Sequence, residues 1–310
     1  MSIVSRREFI ATSAATAGMM ALRPQGVLAQ QPSTDMTIAR WGGQKPNDEE
    51  LKDIAVKLTT QAIEGLGGMN RFVKRGDVVW IKPNIGWDRK PEQAANTNPE
   101  LVATLLQMCF NAGAKTIKIG DNPCNPAIKT YENSGIAPIA RKLGAKVLFL
   151  DESRYKEMAV KGELIKTHPV YPEIVECDLV INVPVLKHHR LADLTMCMKN
   201  YMGVIGERKS FHNKGFATCV ADITRFMKPR LCILDAIRVL TANGPSGGKL
   251  EDVAVKGTVA AGVDIVALDA FGAEVMGKDP KAIESVKKGE ETGLGKIDYR
   301  SLALKEFSVT

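Results

Sequence analysis

Short apolar runs of strand type alternate with helically periodic segments along most of the chain. Asp77-Val78-Val79-Trp80-Ile81, Lys115–Ile119 and Lys146–Leu150 read as strands. Between them, Pro99–Ala112 carries helical periodicity with Pro99 suited to a first turn, and Ile136–Leu143 is a helix stopped by Gly144. The pattern breaks over residues 152–177. Two short segments there, around Glu157–Val160 and Glu163–Thr167, predict a small hairpin or covering excursion. Asp178-Leu-Val-Ile-Asn-Val-Pro-Val-Leu-Lys187 is almost continuously apolar, as in a strand buried on both faces of a parallel sheet. Helices near Leu191–Met202 and Ala217–Phe226 follow, then a strand Arg230–Leu234. A Gly/Pro loop, Asn243–Gly248, precedes the apolar segment Thr258–Ala261 and helices at Ile265–Met276 and Pro280–Lys288. This alternation predicts an α/β fold, a parallel-rich doubly wound sheet with helices on both faces. Without a repeat or long linker, one domain over residues 49–310 is expected, after a polar lead at 30–48.

The first 29 residues have a different character. Ser5-Arg6-Arg7-Glu8-Phe9-Ile10, a weakly apolar Ala/Thr-rich stretch and Val27-Leu28-Ala29 resemble a twin-arginine export signal with a small-residue cleavage site. That resemblance implies the twin-arginine translocation machinery as a partner and a periplasmic or otherwise exported destination. The apolar stretch is too short for a stable span, and no later run approaches the roughly 20 residues a span needs. The signal also alters the charge. Lys and Arg number 42 against 35 Asp and Glu, a net +7; without Arg6, Arg7, Arg23 and Glu8, 39 basic and 34 acidic residues leave +5. No basic stripe interleaved with aromatics accompanies that charge, so a nucleic-acid partner is not expected. A hydrophobic fraction of 45% in 310 residues excludes a disordered or small disulfide-scaffold protein. The six cysteines contain no Cys-x-x-Cys pair, which argues against a ferredoxin-type iron–sulfur cluster, a zinc ribbon or a thioredoxin-like pair. An even count in an exported chain permits disulfides.

Polar residues fall at the carboxyl ends of the predicted strands: Lys82-Pro83-Asn84, Gly120-Asp121-Asn122, Asp151, Lys187-His188-His189 and Asp235. In open α/β sheets that edge forms the ligand crevice. On a helix, Thr195, Lys199 and Gly203 would share one face at four-residue spacing, with Asn200 on the adjoining row. Hydroxyl, ammonium and amide groups beside a glycine suit an anionic ligand. The same spacing also fits a solvated helix face.

These blocks, Lys82-Pro83-Asn84, Gly120-Asp121, Asn182 through His189, Thr195, Lys199-Asn200, Gly203, Lys228-Pro229, Asp235 and Gly244-Pro245, resemble the domain-of-unknown-function 362 family over roughly residues 75–295. The resemblance implies an α/β fold and a shared polar site, without an assigned reaction, and its motif alignment favours His189 over His188 as the functional imidazole. Many relatives carry a ferredoxin module; this chain lacks those cysteine motifs, so their redox role does not transfer.

Two chemistries fit the candidate residues. A divalent metal could be held by Asp121, Asp235 and His189. Alternatively, a metal-free cationic site could bind a small anion through Lys82, Lys187 and Lys199, with Asn84, Thr195, Asn200 and Gly203 at the substrate and His189, Lys187 and Lys199 handling protons. Successive strand residues point to opposite sides, so His188 and His189 are not expected to enter one site together. An enzyme acting on a small anion and a periplasmic binding or metallochaperone protein would use the same pocket. The Arg208–Lys214 region reads as solvated, Asp264 as a helix N-cap, and Asp269 as facing inward.

Overall fold

A computed structural model describes residues 33–310. The expected export signal at residues 1–29 lies outside the described residues.

In chain order the elements are β1 (Met36–Trp41), α1 (Glu50–Gly65), β2 (Val78–Pro83), α2 (Pro99–Asn111), β3 (Thr116–Ile119), α3 (Ala127–Asn133), α4 (Ile136–Lys142), β4 (Lys146–Val147), β5 (Lys156–Ala159) and β6 (Thr167–Val170). Then come α5 (Pro172–Val175), β7 (Leu179–Val183), β8 (Val185–His189), β9 (Asp193–Thr195), α6 (Cys197–Asn200), α7 (Phe216–Met227), β10 (Leu231–Leu240), β11 (Val253–Gly262), α8 (Ile265–Val275), α9 (Glu284–Glu291) and β12 (Leu304–Val309). The main sheet runs β12-β1-β11-β10-β7-β2-β3-β4, with β8 beside β10 and β9 beside β8. It is a mixed, mostly parallel sheet. The pairs from β10 through β4 are parallel, whereas β11 lies antiparallel to both β10 and β1.

Strand residues alternate between two cores, as the two-residue pleat requires. Trp80, Cys232 and Leu234 enter the core that also contains Ile174, Val220, Phe271 and Val286 of α5, α7, α8 and α9. Val79, Ile81, Ile181 and Ile233 enter the opposite core with Leu58, Leu105 and Ile136 of α1, α2 and α4. Burial on both faces explains the long apolar run at 178–187. Pro184 divides that run into β7 and β8, because a proline cannot donate to a ladder. β10 pairs with β7 at Leu231 and Cys232, then with β8 from Asp235 onward.

Several local expectations change. The polar lead contains β1, a strand inside the sheet with Met36 and Ile38 fully buried, so the packed domain begins well before residue 49. Its partners, β11 and β12, lie more than 200 residues away, and six residues of weak pattern did not reveal them. The helix expected at Leu191–Met202 divides into β9, the single turn α6 and a 3-10 turn at Tyr201–Val204. A left-handed Asp193 turns the chain back so that Thr195 pairs with Lys187 across an antiparallel ladder. Thr195, Lys199 and Gly203 therefore do not form a helical face. β4 stops at Val147, and β10 runs on to Leu240, placing Asp235 in mid-strand. The excursion is a two-stranded hairpin, β5–β6.

Candidate functional site

The carboxyl ends of β2, β3 and β8 converge with β9 and α6 on one cleft of about 350 Å³. Asn84, Asp121, Lys187, His189, Thr195, Lys199, Asn200 and Gly203 all line it. Lys82 lies buried beneath the cleft, while Asp235 is not among the lining residues.

The cleft floor is a closed hydrogen-bond network. Lys82 Nζ donates to Asp121 Oδ1 (2.7 Å), the Pro83 carbonyl (2.8 Å) and Asn200 Oδ1 (3.1 Å). The Asp121 carboxylate also accepts from the amides of Ile85 (2.6 Å) and Asn122 (2.9 Å). Asn200 accepts from Asn84 Nδ2 (3.1 Å) and donates to the Lys82 carbonyl and to Asn182 Oδ1 (2.9 Å). Gly203 fits only because it lacks a side chain: a Cβ there would lie 1.7 Å from Asp121 Oδ1. The glycine thus makes room for the ion pair. Burial pushes the Lys82 pKa below its ordinary value, and the adjacent Asp121 opposes that shift.

Lys187 and His189 leave β8 on the same side, two residues apart. The Lys187 ammonium donates to Asn84 Oδ1 (3.0 Å) and to the Ala95 carbonyl. Burial, reinforced by the neighbouring Lys199 charge, lowers its pKa to about 7. Lys199 is lowered to about 8 by burial, with Arg208 and Lys82 acting in the same direction. His189 Nδ1 accepts from the amides of Leu191 and Ala192, both at 3.2 Å, so the neutral ring carries its proton on Nε2. His188 instead accepts from the Gly244 amide at 3.1 Å and holds the Gly/Pro loop. A Cβ on Gly244 would come within 1.9 Å of the His188 carbonyl, so a glycine is needed at that contact.

Thr195 and Lys199 face the cleft with no hydrogen-bond partner for their side chains among the described residues. Thr195 is only 2% exposed, and its buried hydroxyl makes no hydrogen bond with a described residue. The half-buried Lys199 ammonium makes no hydrogen bond or ion pair with a described residue. Meanwhile the nearby acceptors, Asp121, Asn84 Oδ1 and Asn200 Oδ1, are already engaged. The cleft therefore offers hydrogen to a ligand and takes little from it.

The residues expected to bind metal do not form a donor set. Both Asp121 oxygens are occupied, His189 Nδ1 is an acceptor for two amides, and Asp235 accepts from the Asn98 (2.7 Å) and Ile237 (3.0 Å) amides away from the cleft. Burial raises Asp235 to about 6; its work is to hold the start of α2, where Asn98 is the N-cap. Among the described residues no group of three His, Cys, Asp or Glu could hold a metal ion. All six cysteines are free thiols.

Some cleft residues escaped the sequence reading. Arg208, expected to be solvated, donates to the carbonyls of Asn122 and Pro123 (2.9 Å) and lines the cleft beside Lys209. Cys124 is an exposed thiol on the same wall, 3.3 Å from Arg208 Nη2. Its position just past the end of β3 was the available signal. Asp269 accepts from the amides of Cys197 (2.6 Å) and Met198 (3.1 Å), anchoring the short helix that carries Lys199 and Asn200. Burial raises Asp269 to about 7.

The family model described as "Domain of unknown function (DUF362)" matches residues 79–274. The chain belongs to this family. It is also 32% identical over 241 residues to a thylakoid-associated protein of Synechocystis sp., covering 75% of this chain and 73% of that protein. Every cleft residue named above lies inside the DUF362 match, whereas β1, α1 and β12 lie outside it. No described helix is long and apolar enough to cross a membrane.

Proposed function

We propose that the DUF362 cleft is the active site of an enzyme that acts on a small oxyanion-bearing molecule, a carboxylate or phosphate. The observation that carries this reading is the imbalance of donors and acceptors. Among the described residues Thr195 Oγ1 is buried without a partner, Lys199 and Lys209 add charge, and the neighbouring acceptors are consumed internally. An unmatched buried hydroxyl is costly unless a ligand accepts from it. The amide nitrogens of Asn84 and Asn200 belong to the network that sets the cleft's shape. Lys187, with a pKa about 7, can exchange a proton near neutrality. His189, fixed by the Leu191 and Ala192 amides at Nδ1, lines the same cleft.

We further infer that the chain is exported in the folded state, directed by Arg6-Arg7 and the apolar stretch behind them. A thylakoid-associated relative is compatible with an exported or membrane-associated location. Deleting residues 1–29 should leave the protein in the cytoplasm; unchanged export would refute the assignment.

Calorimetric titration with phosphate, sulfate and oxalate tests the site. Lys199→Met should weaken the tightest of these by about tenfold or more, the value of a charge-assisted hydrogen bond. Equal affinity in that variant, or no binding of any of the three, would remove the oxyanion reading. Turnover of a bound anion separates an enzyme from a binding protein using the same donors.

A further inference from the structure

Four lysines lie at the cleft; Lys209 is exposed, and the other three hold their nitrogen atoms differently. Lys82 is enclosed by three acceptors, and Lys187 by two. Lys199 has none among the described residues, yet it lines the cleft beside the unpartnered Thr195 hydroxyl. A lysine placed only for its charge gains from an acceptor. One kept clear of acceptors, in a desolvated setting with cations around it, is arranged as an amine nucleophile.

We propose that the Lys199 amine forms a covalent imine with an anionic carbonyl compound, a 2-oxo acid or an aldehyde bearing a carboxylate or phosphate. This rests on the oxyanion reading, because the cationic cleft must first hold the anionic end. The nitrogen lone pair attacks the carbonyl carbon while the carbonyl π pair moves to oxygen. That oxygen takes a proton to give a carbinolamine, with the Thr195 hydroxyl placed to donate to it and be reprotonated. The nitrogen, now an ammonium, gives up a proton and regains its lone pair; the two protons lost by nitrogen, one before the attack and one after it, supply the two the oxygen takes, and that oxygen departs as water as the lone pair closes the C=N bond. The protonated amine and the carbonyl compound become a protonated iminium and one water, with no change of oxidation state. Burial and the cations Arg208 and Lys82 hold the Lys199 pKa at about 8. At pH 7 roughly one-tenth of such an amine is neutral, against about one in three thousand for an ordinary lysine.

Borohydride reduction in the presence of glyoxylate or pyruvate, followed by peptide mass mapping, tests the step. The expected product is Lys199 carrying the oxo acid minus water plus two hydrogens, labelled about tenfold or more above any exposed lysine. Lys199→Arg and Lys199→Met should both lose it, with thermal unfolding confirming that each variant is folded. Oxalate, an oxyanion without a ketone or aldehyde carbon, should compete in the native protein. Oxalate binding without a Lys199 adduct would overturn the imine and leave the oxyanion site standing. Neither binding nor adduct would overturn both. An adduct spread evenly over surface lysines, or undiminished in the variants, would also overturn the imine.

Discussion

The floor and the wall of the cleft are built from similar residue types and behave oppositely. On the floor, Lys82, Asp121, Asn182 and Asn200 satisfy one another in a buried network. On the wall, Thr195 and Lys199 have hydrogen-bonding capacity that the described residues do not use. The comparison separates folding from ligand recognition. A fully matched network specifies a shape, and a deliberately unmatched one specifies a partner. Lys187 stands between the two, tied to Asn84 and the Ala95 carbonyl while lining the cleft.

The largest expected effect comes from breaking the floor. Lys82→Met leaves the Asp121 carboxylate buried without its ammonium and should cost about 3–5 kcal/mol in chemical denaturation. A double variant, Lys82→Met with Asp121→Leu, should recover part of that loss. If the single substitution changes stability by less than about 1 kcal/mol, the floor is not the structural half of the site.

A pH series sharpens the comparison. Lys187 at about 7 and Lys199 at about 8 lose charge as pH rises, so oxyanion affinity should fall by about tenfold or more between pH 7 and pH 9. Their effect on folding has the opposite sign. Both values are depressed from 10.5, so the stability they contribute is fully present above 10.5 and lost as pH falls through about 8 and then 7. Calorimetric affinity and denaturant midpoints across that range measure the two trends. Lys199→Met should flatten both. An affinity that rises with pH would place the ligand's charge, rather than the lysines, in control.

The smallest effect on stability is expected from the wall. Thr195→Val removes a buried hydroxyl that has no partner, so the unliganded protein should lose nothing and gain up to about 1 kcal/mol. Oxyanion affinity should nevertheless weaken by about tenfold. A destabilised variant with unchanged affinity would reverse the roles assigned to floor and wall.

Element type was legible where the pattern was local. Pro99 and Asn98 begin α2 as helix-start chemistry predicts, and Asp264 caps α8 by accepting from the Ala267 amide. β1 and β12 were hidden because their apolar residues acquire meaning only beside strands distant in the chain. Thr195 and Lys199 were singled out through a helical spacing that does not exist; β9 and α6 deliver them to the cleft by another route. Asp121 and Asp235 look alike as acids near strand ends. Packing separates them, one into the floor with Lys82 and the other under the start of α2.

The sequence by itself determined that polar groups would gather at the carboxyl edge of an α/β sheet, because alternating strand and helix patterns force that topology. It also determined the glycine at 203 and the supply of lysines. Only the tertiary structure decided which donors are consumed and which remain available. That allocation depends on contacts such as Lys82 to Asp121 and Lys187 to Ala95, separated by 39 and 92 residues. Hydrogen bonding is directional and short in range, so no pattern along the chain records which amine has found its acceptor.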